Sequence, residues 1–118
     1  MGETNYLVPL GDDNLDRYRL ACVIEKTQVI LFLVQYEAMI DGEWRPILRY
    51  DTAHGFPHRD LIHPDGRVEK TALLDHTNAE ALTNGQDEIR LYWCAYRERS
   101  EKEMKRWMNF SQLNMINY

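Results

Sequence analysis

Three of the four histidines in this 118-residue chain, His54, His58 and His63, fall within ten residues. They lie in the run RYDTAHGFPHRDLIHPDGR, residues 49–67, with Asp51, Asp60 and Asp65 among them and Arg49 and Arg59 alongside. Imidazole titrates near neutral pH, so two of them can accept and return a proton in one turnover. Arg49 and Arg59 can hold a phosphate, while Tyr50 or Asp51 orients an imidazole. That set suits metal-independent cleavage of RNA, in which a 2′-hydroxyl loses a proton and the leaving oxygen gains one. The chemistry requires His54 and His58 to reach one bound phosphate.

Two other readings fit the same residues. His54, His58 and His63 could offer three nitrogens, with Asp51 or Asp60 as a fourth ligand, for zinc or another divalent metal of a hydrolase. The four-residue spacing of His54 and His58 resembles a helical ligand pair, but Gly55 and Pro57 disfavour a helix there. A loop is therefore expected. The third reading is structural: His54-Gly55 as a turn, Phe56 as a core plug, and Asp51 and Asp60 as caps of backbone amides.

The elements that must position this run are legible by period. Tyr18, Leu20, Cys22 and Ile24 alternate with Arg17 and Arg19 in a half-buried strand. Gln28 to Ile40 follows, with Val29 to Val34 unbroken and apolar, as expected of a central strand covered on both faces. Asp41-Gly42 is a tight-hairpin dipeptide, so the chain should return over Glu43 to Tyr50, pairing Met39 with Trp44 and Leu33 with Tyr50. Pro46 cannot donate to a ladder, which calls for an edge position or a bulge. Pro64-Asp65-Gly66 separates Asp60–His63 from Arg67–Leu73 and predicts a second hairpin. Tyr6 to Leu10 is a candidate fifth strand.

Past Asp75 the period changes. Thr77 or Asn78 can cap a helix, with Glu80 in its first turn. Leu82, Ile89, Trp93, Tyr96, Met104 and Trp107 then form one stripe along a helix over Asn78 to Met108. Gly85 predicts a break near Asn84-Gly85, and Asn109 to Tyr118 shows no clear period. The expected architecture is α+β, one domain over residues 1–118: an antiparallel sheet of four to five strands packed by a long C-terminal helix.

Composition bounds the rest. Hydrophobic residues at 44% and charged residues at 28% describe a globular chain. A net charge of −5 argues against a whole-surface nucleic-acid binder and leaves room for a local basic face. The longest apolar run is too short to span a bilayer, and the first residues do not read as a secretory signal. Cys22 and Cys94 read as reduced core thiols, so a cytoplasmic protein without membrane contact is expected. The aromatic and basic helix around Trp93, Tyr96, Arg97 and Trp107 supports a competing reading, a non-enzymatic interaction domain that forms a homodimer or binds a protein partner.

The stretch Arg49 to Asp60, with its Tyr-Asp-x-x-His-Gly-x-x-His pattern, resembles a motif of small uncharacterised prokaryotic proteins. More distantly, it resembles the TumE-like toxins of toxin–antitoxin pairs. Tyr50, Asp51, Gly55 and His58 carry the likeness, over about a fifth of the chain. That toxin pattern clusters its histidines directly after the glycine, whereas Arg59 and Asp60 follow His58 here. The resemblance implies a toxin-like role directed at RNA, and a cognate antitoxin as partner.

Overall fold

A computed structural model describes residues 2–116, with side chains up to residue 113. Six strands, β1 (Gly2–Pro9), β2 (Asp16–Glu25), β3 (Gln28–Ile40), β4 (Glu43–Asp51), β5 (His58–Ile62) and β6 (Val68–Ala72), precede one helix, α1 (Asn78–Ile116). The strands form a single sheet in sequence order, every neighbouring pair antiparallel. The fold class is as expected, but the sheet has six strands rather than four or five. Both arms of the second hairpin, β5 and β6, pair into the sheet, and β1, exposed along nearly its whole length, completes six.

Asp41 and Gly42 both adopt positive φ, the backbone that a two-residue hairpin turn requires. Met39 pairs with Trp44 as expected, but the ladder then slips: Glu37 faces Pro46 and Tyr36 faces Leu48, leaving Ile47 as the extra residue of a bulge. Leu33 consequently faces Asp51, and Tyr50 faces Val34. Pro46 is thus accommodated by a bulge inside the sheet, not by an edge position. Because side chains alternate, this one-residue slip turns Tyr50 to one face and Arg49 and Asp51 to the other.

Helix α1 covers one face only, lying against β3 and β4. Tyr18, Leu20, Val34, Tyr36, Leu48 and Tyr50 form the core beneath it with Ala81 and Ile89. No described helix covers the second face. Apolar residues of β3 that were expected in the interior, Leu31 above all, therefore meet solvent, Leu31 with 53% exposure. Cys22 is buried, whereas Cys94 is exposed rather than in the core.

The helix starts with a reciprocal cap: Glu80 N–H donates to Thr77 Oγ1 at 3.1 Å, and Thr77 N–H donates to Glu80 Oε1 at 2.9 Å. It runs through Gly85 without a break and includes residues 109–116 of the segment that lacked a period. Polar clamps hold it to the sheet. Glu88 accepts from Tyr50 Oη at 2.6 Å, from Tyr96 Oη at 2.7 Å and from Nε and Nη2 of Arg59 at 2.8 and 3.0 Å. Burial alone would raise the Glu88 carboxyl, but Arg59, then Tyr50 and Tyr96, together hold it below its ordinary value. Arg97 donates to Asp16 Oδ1 at 2.9 Å and to the Met39 carbonyl at 2.8 Å.

Candidate active site on the helix-free sheet face

Register brings the functional side chains into rows. Arg19 pairs with Gln35, Gln35 with Arg49, Arg49 with Asp60, and Asp60 with Lys70, one residue from each of β2 to β6. Directly paired residues share a face, so this polar row crosses five strands on the side away from α1. The adjacent row contains Leu33, Asp51 and His58.

The row is bonded along its length. Glu37 accepts from Arg17 Nε at 2.8 Å, Arg19 Nε at 3.2 Å and Gln35 Nε2 at 2.6 Å. Arg49 Nε donates to Gln35 Oε1 at 2.7 Å. Lys70 Nζ donates to Asp60 Oδ2 at 3.3 Å, and Arg49 Nη1 stands 3.9 Å from the same oxygen. Burial alone would raise the Glu37 carboxyl, but Arg19, Arg17 and Gln35 hold it below its ordinary value. Arg17 also lies over the Trp44 ring, 3.8 Å from its centroid.

The connection between β4 and β5 closes over this face. Thr52 locks its start, accepting from Phe32 N–H at 3.1 Å and donating its own N–H to the Phe32 carbonyl at 3.2 Å. Gly55 takes φ +85°, a left-handed conformation that favours glycine. Beneath the loop, His58 Nε2–H donates to Asp51 Oδ1 at 2.7 Å, and Asp60 Oδ2 lies 3.9 Å from the same nitrogen. His58 is buried, and its Nδ1 lies 3.4 Å from the Phe56 carbonyl. His54 is exposed and stacks on it, the ring centroids 5.3 Å apart.

Of the sequence-derived residues, the fold gathers Asp51, His54, His58 and Arg49. It separates Tyr50, Arg59 and His63, which belong to the helix side. Arg59 follows His58 directly and must point the other way. Its Nε and Nη2 both donate to Glu88, and Nη2 also donates to Tyr96 Oη at 2.7 Å. The two arginines expected to share one phosphate, Arg49 and Arg59, therefore stand on opposite faces. His63 is buried between Glu103 of α1 and Glu69 of β6, each ring nitrogen 2.7 Å from a carboxylate oxygen. A carboxylate only accepts, so both nitrogens must carry protons. The Glu103 and Glu69 bonds raise the His63 pKa accordingly.

Among the described residues, no group of three histidine, cysteine, aspartate or glutamate side chains is arranged to hold a metal ion. The His58 contacts form a donor–acceptor pair, not a ligand shell. Of the residues proposed for an interaction helix, Trp93, Tyr96 and Arg97 are engaged with the sheet, while Trp107 stays exposed, as do Phe110 and Leu113 beyond it. The cleft that Trp107 and Phe110 line with Pro64 and Arg67 includes no residue of the His54–His58 loop. No described helix is long and apolar enough to cross a membrane.

Gln35, Glu37 and Lys70, with Arg17 and Arg19, were missed by sequence reasoning. The alternation of Arg17 and Arg19 marks a polar face on β2. That this face continues as one row into β6 depends on register, which no local pattern carries.

Residues 1–106 match a family described as "Domain of unknown function (DUF7718)". No curated protein and no solved structure matches the chain.

Proposed function

The chain belongs to the DUF7718 family, and we propose that its members' fold serves here as a small, toxin-like protein that cleaves RNA on the helix-free sheet face. The carrying observation is the exposed His54 ring stacked on a buried His58, which Asp51 holds at 2.7 Å. His54 takes the proton of a 2′-hydroxyl as its oxygen bonds to the adjacent phosphorus. The bond from phosphorus to the 5′-oxygen breaks, and the imidazolium returns the proton to that departing oxygen, leaving a cyclic phosphate. Asp51 fixes the His58 ring, and His58 positions His54; neither of the two needs to touch the substrate. Arg49 supplies positive charge to the phosphate, assisted by Lys70.

Incubation of the purified protein with RNA tests this reading, alongside growth after induced expression in a bacterium. Wild type should yield fragments ending in cyclic phosphate and should arrest growth. His54→Ala should do neither. Intact RNA with wild type, or unchanged cleavage by His54→Ala, would sink the proposal. A toxin-like role also implies a small antitoxin that relieves the arrest when co-expressed.

A further inference from the structure

We propose that single-stranded RNA binds across the strands of the helix-free face, its backbone following Arg19, Arg49 and Lys70 to the His54 loop. This inference rests on the RNA reading above and assigns the substrate's course. Three observations carry it.

The first is alignment. Arg19, Arg49 and Lys70 occupy alternate strands of one register row, so their backbone positions follow one another roughly 10 Å apart across the sheet, and the Arg49 and Lys70 side chains converge on Asp60. A single line fits one phosphate backbone, whereas a duplex presents two.

The second is layering. Glu37 and Asp60, the carboxylates of the network, have side chains only 7% and 3% exposed. Their partners remain open: Arg19 at 39%, Arg49 at 30% and Lys70 at 59%. An approaching ligand meets the cations, while the counter-charge lies beneath them. With Arg17, four cations stand over the three carboxylates of Glu37, Asp60 and Asp51. The patch is thus basic on a chain of net charge −5, and this focuses a polyanion onto one face.

The third is chemistry. The Trp44 ring is already covered by Arg17, so the row offers charge and little base stacking. Recognition should depend on the backbone, tolerate any sequence and respond strongly to salt.

The experiment is fluorescence anisotropy with a short, labelled oligouridine carrying 2′-O-methyl groups, which cannot be cleaved, in rising potassium chloride. Wild type should bind with a log–log salt slope of about −2 to −3, the value for three or four neutralised phosphates of a single strand. Arg19→Gln with Lys70→Gln should weaken binding roughly tenfold and flatten the slope by about 1.4. Lys70→Gln alone, at the most exposed position, should flatten it by about 0.7 and guards against misfolding of the double variant. Lys105→Gln on the outer side of the helix should change nothing. Absence of wild-type binding at low salt, equal binding by both row variants, or tighter binding of a duplex of equal length each overturns the track. Binding of the modified strand without cleavage of ordinary RNA would sink the catalytic reading alone. Cleavage indifferent to Arg19 and Lys70 would sink the track alone.

Discussion

Gly85 of the helix lies so close to Tyr50 of the sheet that a β-carbon on it would stand 2.8 Å from the ring's Cγ. The glycine is therefore a contact surface, not a helix break. Alanine would favour the helix by about 1 kcal/mol, yet the ring cannot withdraw while its hydroxyl is bonded to Glu88. Overpacking of this kind costs about 1–3 kcal/mol. Gly85→Ala should lower stability on balance, read as a reduced urea midpoint; a raised midpoint would show that Tyr50 moves freely.

Glu88 joins Tyr50, Arg59 and Tyr96 through one carboxylate. Glu88→Ala strands a guanidinium that is 77% sequestered, given its side-chain exposure of 23%. The expected loss is about 3 kcal/mol. Arg59→Met in the same background should recover part of it, because the unpaired charge is then gone. Failure of that rescue would mean the clamp contributes little beyond packing.

His63 bridges two carboxylates as an imidazolium, so its native pKa lies above the ordinary value of about 6.5. A raised cationic group contributes its stability fully below that ordinary value and loses it as pH climbs through the native one. Burial alone would raise Glu103, but His63 lowers it, so the carboxylate contribution persists until acid protonates it. The gap in thermal midpoint between wild type and His63→Gln should be widest near pH 6 and close on the alkaline side. A gap that widens with rising pH would reverse the assignment. Arg67, nearby, opposes the shift, and Arg99 bonds Glu103.

His54 and His58 should separate activity from stability. His54 is exposed, and its replacement by alanine should alter stability by less than about 0.5 kcal/mol while abolishing cleavage. His58→Ala removes the partner of Asp51 and should cost about 2–3 kcal/mol. The gentler His58→Asn should fold and cleave with an altered pH–rate profile, because the ring supporting His54 is lost. An unchanged profile would confine His58 to structure.

The sequence by itself determined what short-range chemistry dictates. Asp41-Gly42 needs positive φ at both residues and so made its hairpin. Thr77 and Glu80 made their cap, Gly55 and Pro57 made a loop of the histidine run, and the apolar stripe made α1. The class of fold was readable from those periods, and so were Asp51, His54 and His58 as candidate neighbours.

Only the tertiary structure decided which face each of them occupies. In the register expected without a bulge, Tyr50 would share the Leu33 face, and Arg49 and Asp51 would turn beneath the helix. The extra residue Ile47 reverses that assignment. It sends Tyr50 to Gly85 and Glu88, sets Arg49 in the polar row, and places Asp51 against His58. Pro46 announced an irregularity through its missing N–H, but not its hand or its length. A strand reads the same from either register, and only the packing of α1 on one side distinguishes the two.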